Sequence, residues 1–330
     1  MRLTLSGTLA ATAAGALMIA LVPTSPASAM TPAGDPGPMA GPVAGVEQEC
    51  FTPDDDIAAS ARGGQAHDHR SVSAEQQRQI EARTERILAA KGGNGKGKPG
   101  GGGGGGGAVQ VGAVIPVYVH VMAASNGAGD VSDAQIAAQV DVLNATYAGQ
   151  ESPAAPDTSF SFTLAGTDRF YNNTWHQDGA SSKYRKATRQ GGADALNIWL
   201  VDFDYLGVAT FPWDYARNGG IDGVRVQYDS LPGGGIPNYD LGETATHEVG
   251  HWLGLYHTFQ GGCTSTNDEV SDTPAQSSPT SGCPEGRDSC SLPGLDPIHN
   301  YMDYSFDACY DRFSAGQSTR MSEMFSAYRA

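Results

Sequence analysis

Residues 247–257 read His247-Glu248-Val249-Gly250-His251-Trp252-Leu253-Gly254-Leu255-Tyr256-His257, and five of these positions decide how the chain is read. Histidines four residues apart lie on one helical face one turn apart, so both imidazoles can converge on a single Zn²⁺. Glu248 directly follows the first histidine, where its carboxylate can reach a metal-bound water without ligating the metal itself. Gly254, three residues past the second histidine, is free to take positive φ, end the helix and turn the chain so that His257 supplies a third nitrogen. Three neutral nitrogens leave a fourth position open, the arrangement of a catalytic zinc rather than a closed structural one. With 8 His and 44 Gly in 330 residues, chance would produce these five letters in about two of 100,000 such chains. Histidines used only for packing, or a catalytically dead relic, are therefore the weaker readings.

Working outward, the sequence after Ala108 predicts a compact α/β (α+β) domain. Val114 to Met122 alternates and is rich in β-branched residues, which predicts a strand, as do Phe160 to Phe170 and Leu196 to Val201. Leu206 to Phe211 reads as a short strand ended by Pro212, and Ile221 to Tyr228 as another before the turn at Pro232 to Gly235. Ser132 to Tyr147, with apolar Ile136, Val140, Leu143 and Tyr147, has helical spacing. The helix that carries His247 is expected to begin near Asp240. A last helix runs from Ser314 to Arg329, with Ser314 as N-cap and Gln317 as capping-box partner.

The first third of the chain is different. Arg2, an apolar small-residue run from Leu3 to Val22, and the Ala27-Ser28-Ala29 cleavage signal read as a secretory signal peptide over residues 1–29. The run is rich in Ala, Gly and Thr, which makes a single-span anchor the weaker alternative. Met30 to Val46 is Pro, Gly and Ala, too poor in packing groups to order itself. Ser73 opens a helix with Gln76 as its capping-box partner, running through Ile80, Ile87 and Leu88 to Gly92. Gly92 to Gly107, with eight consecutive glycines from Gly100, reads as a protease-accessible linker. Residues 30–107 thus form a segment ahead of a domain at 108–330. Residues 1–107 hold 9 Lys+Arg and 10 Asp+Glu, and residues 108–330 hold 11 and 26, so the folded part carries the acidity. Such a balance argues against nucleic acid and anionic membranes as partners.

The long histidine motif, followed by Asn300-Tyr301-Met302-Asp303-Tyr304, resembles the metzincin zinc metalloendopeptidases, in which a methionine turn underlies the metal. Within them, HEVGHWLGLYHTFQGGC at 247–263, DTPAQ at 272–276 and NYMDYSFDAC at 300–309 resemble the pappalysin family of secreted proteases. Thr258 stands where some other metzincins have Asp, in keeping with that branch. The resemblance extends more weakly over Ile115 to Arg329. It implies a two-lobed fold: a mixed sheet with two long helices, an active-site helix, and a smaller irregular C-terminal lobe. It also implies Met302 beneath the zinc and Tyr304 near the metal, able to stabilise a developing oxyanion. On composition alone these two residues read as core filling. Leu206 to Phe211 would be the edge strand above the cleft, pairing with an extended substrate, or an ordinary edge strand.

In an exported chain, five cysteines imply disulfides and one remainder. Cys263, Cys283, Cys290 and Cys309 allow three pairings, and the resemblance favours Cys263 with Cys290 and Cys283 with Cys309. A structural zinc there lacks CxxC spacing. Cys50 is left over: its thiolate is a candidate latency switch filling the open zinc position until cleavage removes it. A free or intermolecular thiol, or blockade by Asp54, Asp55 or Asp56, are the alternatives. Asp268, Glu269, Asp272 and Thr273 cluster as hard oxygen ligands suited to structural Ca²⁺, or form a solvated acidic loop. Asp307 is a candidate for the pocket that receives the side chain just after the scissile bond, favouring Arg or Lys. Among the other histidines, His67, His69, His120, His176 and His299 lack ligand spacing to the triad; His120 reads as a strand residue and His299 as a support for the methionine turn. The expected function is a secreted, extracellular zinc endopeptidase, made latent and activated by another protease or by itself, acting on proteins or peptides. Its rivals are a catalytically silent secreted zinc-fold binding protein and a metal hydrolase acting on non-peptide substrates.

Overall fold

The computed structural model describes residues 72–92 and 111–330; the signal-peptide, Cys50, Asp54 to Asp56, His67, His69 and Gly-rich-linker readings lie outside the described residues. A five-stranded sheet is built from β1 (Ala113–Ala123), β2 (Phe160–Tyr171), β3 (Leu196–Val201), β4 (Gly207–Ala209) and β5 (Val224–Gln227), in the order β2-β1-β3-β5-β4. All neighbours are parallel except β4, which runs antiparallel to β5 at one edge. Parallel strands buried on both faces read as near-continuous apolar runs, and β3 is buried at every position.

The helices are α1 (Ala74–Gly92), α2 (Asp133–Tyr147), α3 (Asn173–His176), α4 (Ser181–Thr188), α5 (Tyr215–Asn218), α6 (Glu243–Trp252) and α7 (Ala315–Tyr328). Ser132 caps α2 by accepting from Gln135 N, and Ser314 and Gln317 form the capping box of α7. At α1, Ser73 and Gln76 likewise bond reciprocally, at 2.8 and 3.3 Å.

The main core lies between the sheet and the pair α2 and α6. Ile115, Val117, Leu143, Val226, Val249, Trp252 and Met302 are all fully excluded from water there. Residues 253–314 contain no named strand and no α-helix, and two disulfides hold them: Cys263–Cys290 and Cys283–Cys309. These cross-links stand in for the ladders that such a loop-rich region cannot form. The fold is the two-lobed α/β arrangement, with α6 at the junction. α1, which precedes the glycine run in sequence, packs on α7.

Candidate active site

α6 is buried along its whole length, and His247 and His251 project from one face of it. Gly254 takes φ +98° after the last turn of the helix, and the chain swings back with His257. A Cβ at this position would meet Met324 Cγ at 2.5 Å, so both conformation and space require glycine. The three Nε2 atoms converge: His247 to His251 is 3.1 Å, His247 to His257 3.2 Å and His251 to His257 3.0 Å. Three imidazoles cannot all hydrogen-bond one another through those atoms. Nitrogens sharing one tetrahedral zinc would stand about 3.3 Å apart, so the donor set fits that ion. The opposite ring nitrogens are anchored: His247 Nδ1 to the Tyr301 carbonyl at 2.6 Å and His251 Nδ1 to the Leu255 carbonyl at 2.8 Å. Such anchoring orients the rings and presents each Nε2 unprotonated.

The methionine turn closes the floor. Met302 is fully buried, and a Cβ at Gly250 would lie 2.4 Å from its sulfur, so the glycine on α6 is what lets the thioether in. Thr258 N donates to the Met302 carbonyl at 3.1 Å. Thr258 Oγ1 donates to Gln276 Oε1 at 2.7 Å, and Gln276 Nε2 donates to both Asp303 carboxylate oxygens at 3.0 Å. Gln276 thereby joins the histidine segment, the DTPAQ stretch and the methionine turn. The Tyr304 ring stands 4.9 Å from that of His257 and 5.6 Å from that of His247.

A cleft opens beside His247 and Glu248, with Leu206 and Tyr304 at its walls. Asp307 and Glu243 also line it, each almost fully buried. Asp307 Oδ2 accepts from Leu241 N at 2.9 Å, whereas Asp307 Oδ1 and Glu243 Oε2 lack a well-formed hydrogen bond. Burial pushes the Asp307 carboxyl up to about 7, the backbone N–H groups at Leu241 and Glu243 partly offsetting it. Burial, with Glu151 nearby, raises Glu243 well above the carboxylate range. Sequence reading did not single out Glu243, because an acid at the start of a helix reads as a partner of the helix dipole.

The acidic residues near Cys263 separate into two places. Asp268 is buried, its Oδ2 and the Thr273 Oγ1 without a well-formed hydrogen bond, and burial pushes its carboxyl up to about 8. Asp272 instead accepts from Ser314 Oγ at 2.7 Å and Gly316 N at 2.8 Å, at the start of α7. His120 is a buried strand residue bonded to Asn197 at 2.9 Å. His176 bonds the Met122 carbonyl at 2.8 Å, and His299 Nδ1 bonds the Cys309 carbonyl at 2.6 Å behind the methionine turn. A second grouping, Cys283, His299 and Cys309, has its sulfurs joined in a disulfide.

Fold and site together define a metzincin metalloendopeptidase. The sequence model of the peptidase M43 family, described as pregnancy-associated plasma protein-A, matches residues 206–326. An extracellular metalloprotease of Neurospora crassa is 49% identical over 224 residues, 66% of this chain and 76% of that protein. One of Sordaria macrospora is 49% identical over 231 residues, 68% and 78% of the two chains. Among solved structures, Tannerella forsythia mature mirolysin in complex with a cleaved peptide matches with a TM-score of 0.58 and 30% identity, covering 67% of this chain and 97% of that one. A promirolysin variant matches at 0.61 and 29%, covering 78% and 90%. The chain belongs to the M43, or pappalysin, family: it is a secreted zinc metalloendopeptidase made as a precursor.

Proposed function

We propose that His247, His251 and His257 hold the catalytic zinc and that Glu248 is the general base for peptide-bond hydrolysis. The observation that carries this is the convergence of three Nε2 atoms within 3.2 Å beside the cleft that Glu248 lines. Zinc bound there supplies Lewis acidity, lowering the pKa of water and polarising the scissile carbonyl. Glu248 takes the proton of the attacking water and delivers it to the leaving amine. Tyr304, flanking two of the ligand rings, steadies the oxyanion as it develops. Met302 is the apolar floor that keeps the ligand rings in place. β4 is the antiparallel edge of the sheet and lies over Glu248, so it is the strand on which an extended substrate adds.

The substrate is a protein or peptide, with Arg or Lys just after the scissile bond received by Asp307. The place of Asp307 in the cleft lining, with one carboxylate oxygen lacking a well-formed hydrogen bond, supports this reading. Asp268 and Thr273 bind structural Ca²⁺, supported by their buried oxygens; Asp272 secures α7 next to them. Residues 1–29 are the signal peptide, 30–107 the pro-segment and 108–330 the catalytic domain, with Cys50 as the latency switch and an activating protease or autolysis cutting the linker. The product is free and extracellular, a reading supported by the relatives named extracellular metalloproteases; among the described residues no helix is long and apolar enough to cross a membrane.

The test is hydrolysis of an unfolded protein, reduced casein, by secreted protein processed near the linker. A zinc chelator and Glu248→Ala should each abolish cleavage. Cleavage surviving both would overturn the site assignment, and no cleavage by zinc-loaded, processed protein would favour the catalytically silent binding protein.

A further inference from the structure

α1 lies ahead of the linker, yet its contacts are those of an integral element of the catalytic body. Its inward stripe has buried Gln77 and Thr84 flanked by half-buried Ile80, Glu81, Ile87 and Leu88, the spacing of one helical face. Val72 and Ile80 pack on the cluster of Phe211, Trp213, Tyr256 and Met324. Phe211 in turn meets the ring of the ligand His251 edge to face, at 5.4 Å.

The polar contacts lead to the same place. Glu81 receives Arg320 of α7 through both carboxylate oxygens, at 2.7 and 3.0 Å. Arg320 donates its Nε to the Gly254 carbonyl at 2.9 Å and stacks on Tyr256 at 4.7 Å. Gly254 and Tyr256 belong to the turn between the second and third histidines. The face is closed by Gln77 to the Asn267 carbonyl at 3.2 Å, Gln260 to the Val72 carbonyl, and Lys91 to the Ser326 carbonyl at 2.7 Å. None of these residues lines the substrate cleft beside His247 and Glu248. A segment that kept the enzyme silent only by obstruction would need to reach that cleft, and α1 buttresses the metal site from behind instead.

We propose that α1 is a permanent part of the active enzyme: once the chain is cut in the Gly-rich linker, and again between Cys50 and Val72 to release the latency switch, residues 72–92 stay docked on α7, and Glu81, through Arg320, is a positioning residue for the turn that carries His257. Withdrawal of the helix would leave a buried guanidinium without its carboxylate and uncover the apolar cluster behind His251. This builds on the reading that processing cuts the linker, and its test does not depend on catalysis.

The experiment uses full-length Glu248→Ala protein with a site-specific protease sequence placed within residues 93–107, cut after folding. Size-exclusion chromatography and native mass spectrometry then follow the N-terminal fragment. The expected result is a one-to-one fragment–domain complex, whose dissociation constant Glu81→Ala raises at least about tenfold and Ile80→Asp raises further. Loss of zinc to a chelator should be faster in the cut Glu81→Ala protein than in the cut parent. Elution of the parent's fragment apart from the domain, with an unchanged unfolding midpoint and unchanged zinc loss, would overturn the proposal. Because the catalytic base is absent throughout, failure of the endopeptidase reading leaves this result readable.

Discussion

Gly207 of the edge strand and Glu248 of the active-site helix are in such close apposition that a Cβ at 207 would lie 2.4 Å from Glu248 Cγ and 2.6 Å from its Oε1. The edge strand proposed to receive substrate and the carboxylate proposed as general base therefore share one contact surface, possible only with glycine at 207. Gly207→Ala should push the carboxylate off its line to the reacting water. A displacement of that size costs on the order of 100-fold in kcat. Steady-state kinetics on a peptide substrate, with zinc content confirmed, checks this; an unchanged kcat would mean that Glu248 is not the base.

Asp307 gives the cleft a pH signature. Burial holds its carboxyl at about 7, so it is largely neutral below that pH and charged above it. Only the charged form attracts a cation. Relative kcat/KM for substrates with Arg or Lys after the scissile bond, against Leu, should rise between about pH 6 and 8, and Asp307→Asn should flatten the rise. Stability runs the other way. The folded state keeps a proton that the unfolded chain releases from about pH 4 upward, so the stability this group contributes below that pH is lost as pH rises to about 7. Thermal unfolding of the variant should show a smaller decline over that window than the parent.

Asp268 offers a separate test of calcium. With its carboxyl raised to about 8, cation binding must release a proton, so calcium should raise the unfolding midpoint more at pH 8 than at pH 6.5. Asp268→Asn should abolish the calcium effect yet, without calcium at pH 7, be no less stable than the parent, because the carboxyl it replaces is already neutral. A calcium response retained by the variant would place the ion elsewhere.

The Cys283–Cys309 bridge closes a stretch with a sequence separation of 26 that contains the methionine turn. Replacing both cysteines with serine should lower stability by about 3 to 4 kcal/mol, the loop-closure value for that length. Denaturant titration measures it, and a loss below about 1 kcal/mol would mean that the lobe is held by its hydrogen bonds alone.

Sequence and structure agree best where local chemistry is self-contained. The Ser73, Ser132 and Ser314 caps, the β3 run and the positive φ of Gly254 each depend on a few adjacent residues. Agreement weakens where neighbours in space decide. The strand expected over Leu206 to Phe211 is confined to Gly207–Ala209, because Pro212 starts a 3-10 turn and Phe211 goes to the aromatic cluster. The strand expected from Ile221 begins at Val224, since Gly219–Ile221 is itself a turn. α3 and α4 are too short to show a period. The three histidines were legible from spacing, whereas Glu243 and Gln276 owe their places to chain segments far away in sequence, which no local pattern encodes.

The docking of α1 on α7 changes what kind of object the glycine run is. α1 and the chain from Val111 onward belong to one compact unit, so in sequence residues 93–110 connect two elements of that unit, and joining them is a loop-closure problem rather than a linkage between domains. The cost of closing such a loop grows only with the logarithm of its length, about 0.6 kcal/mol per doubling. Glycines can therefore be added to or deleted from that run at little cost in stability, provided the remaining chain still spans from Gly92 to Val111.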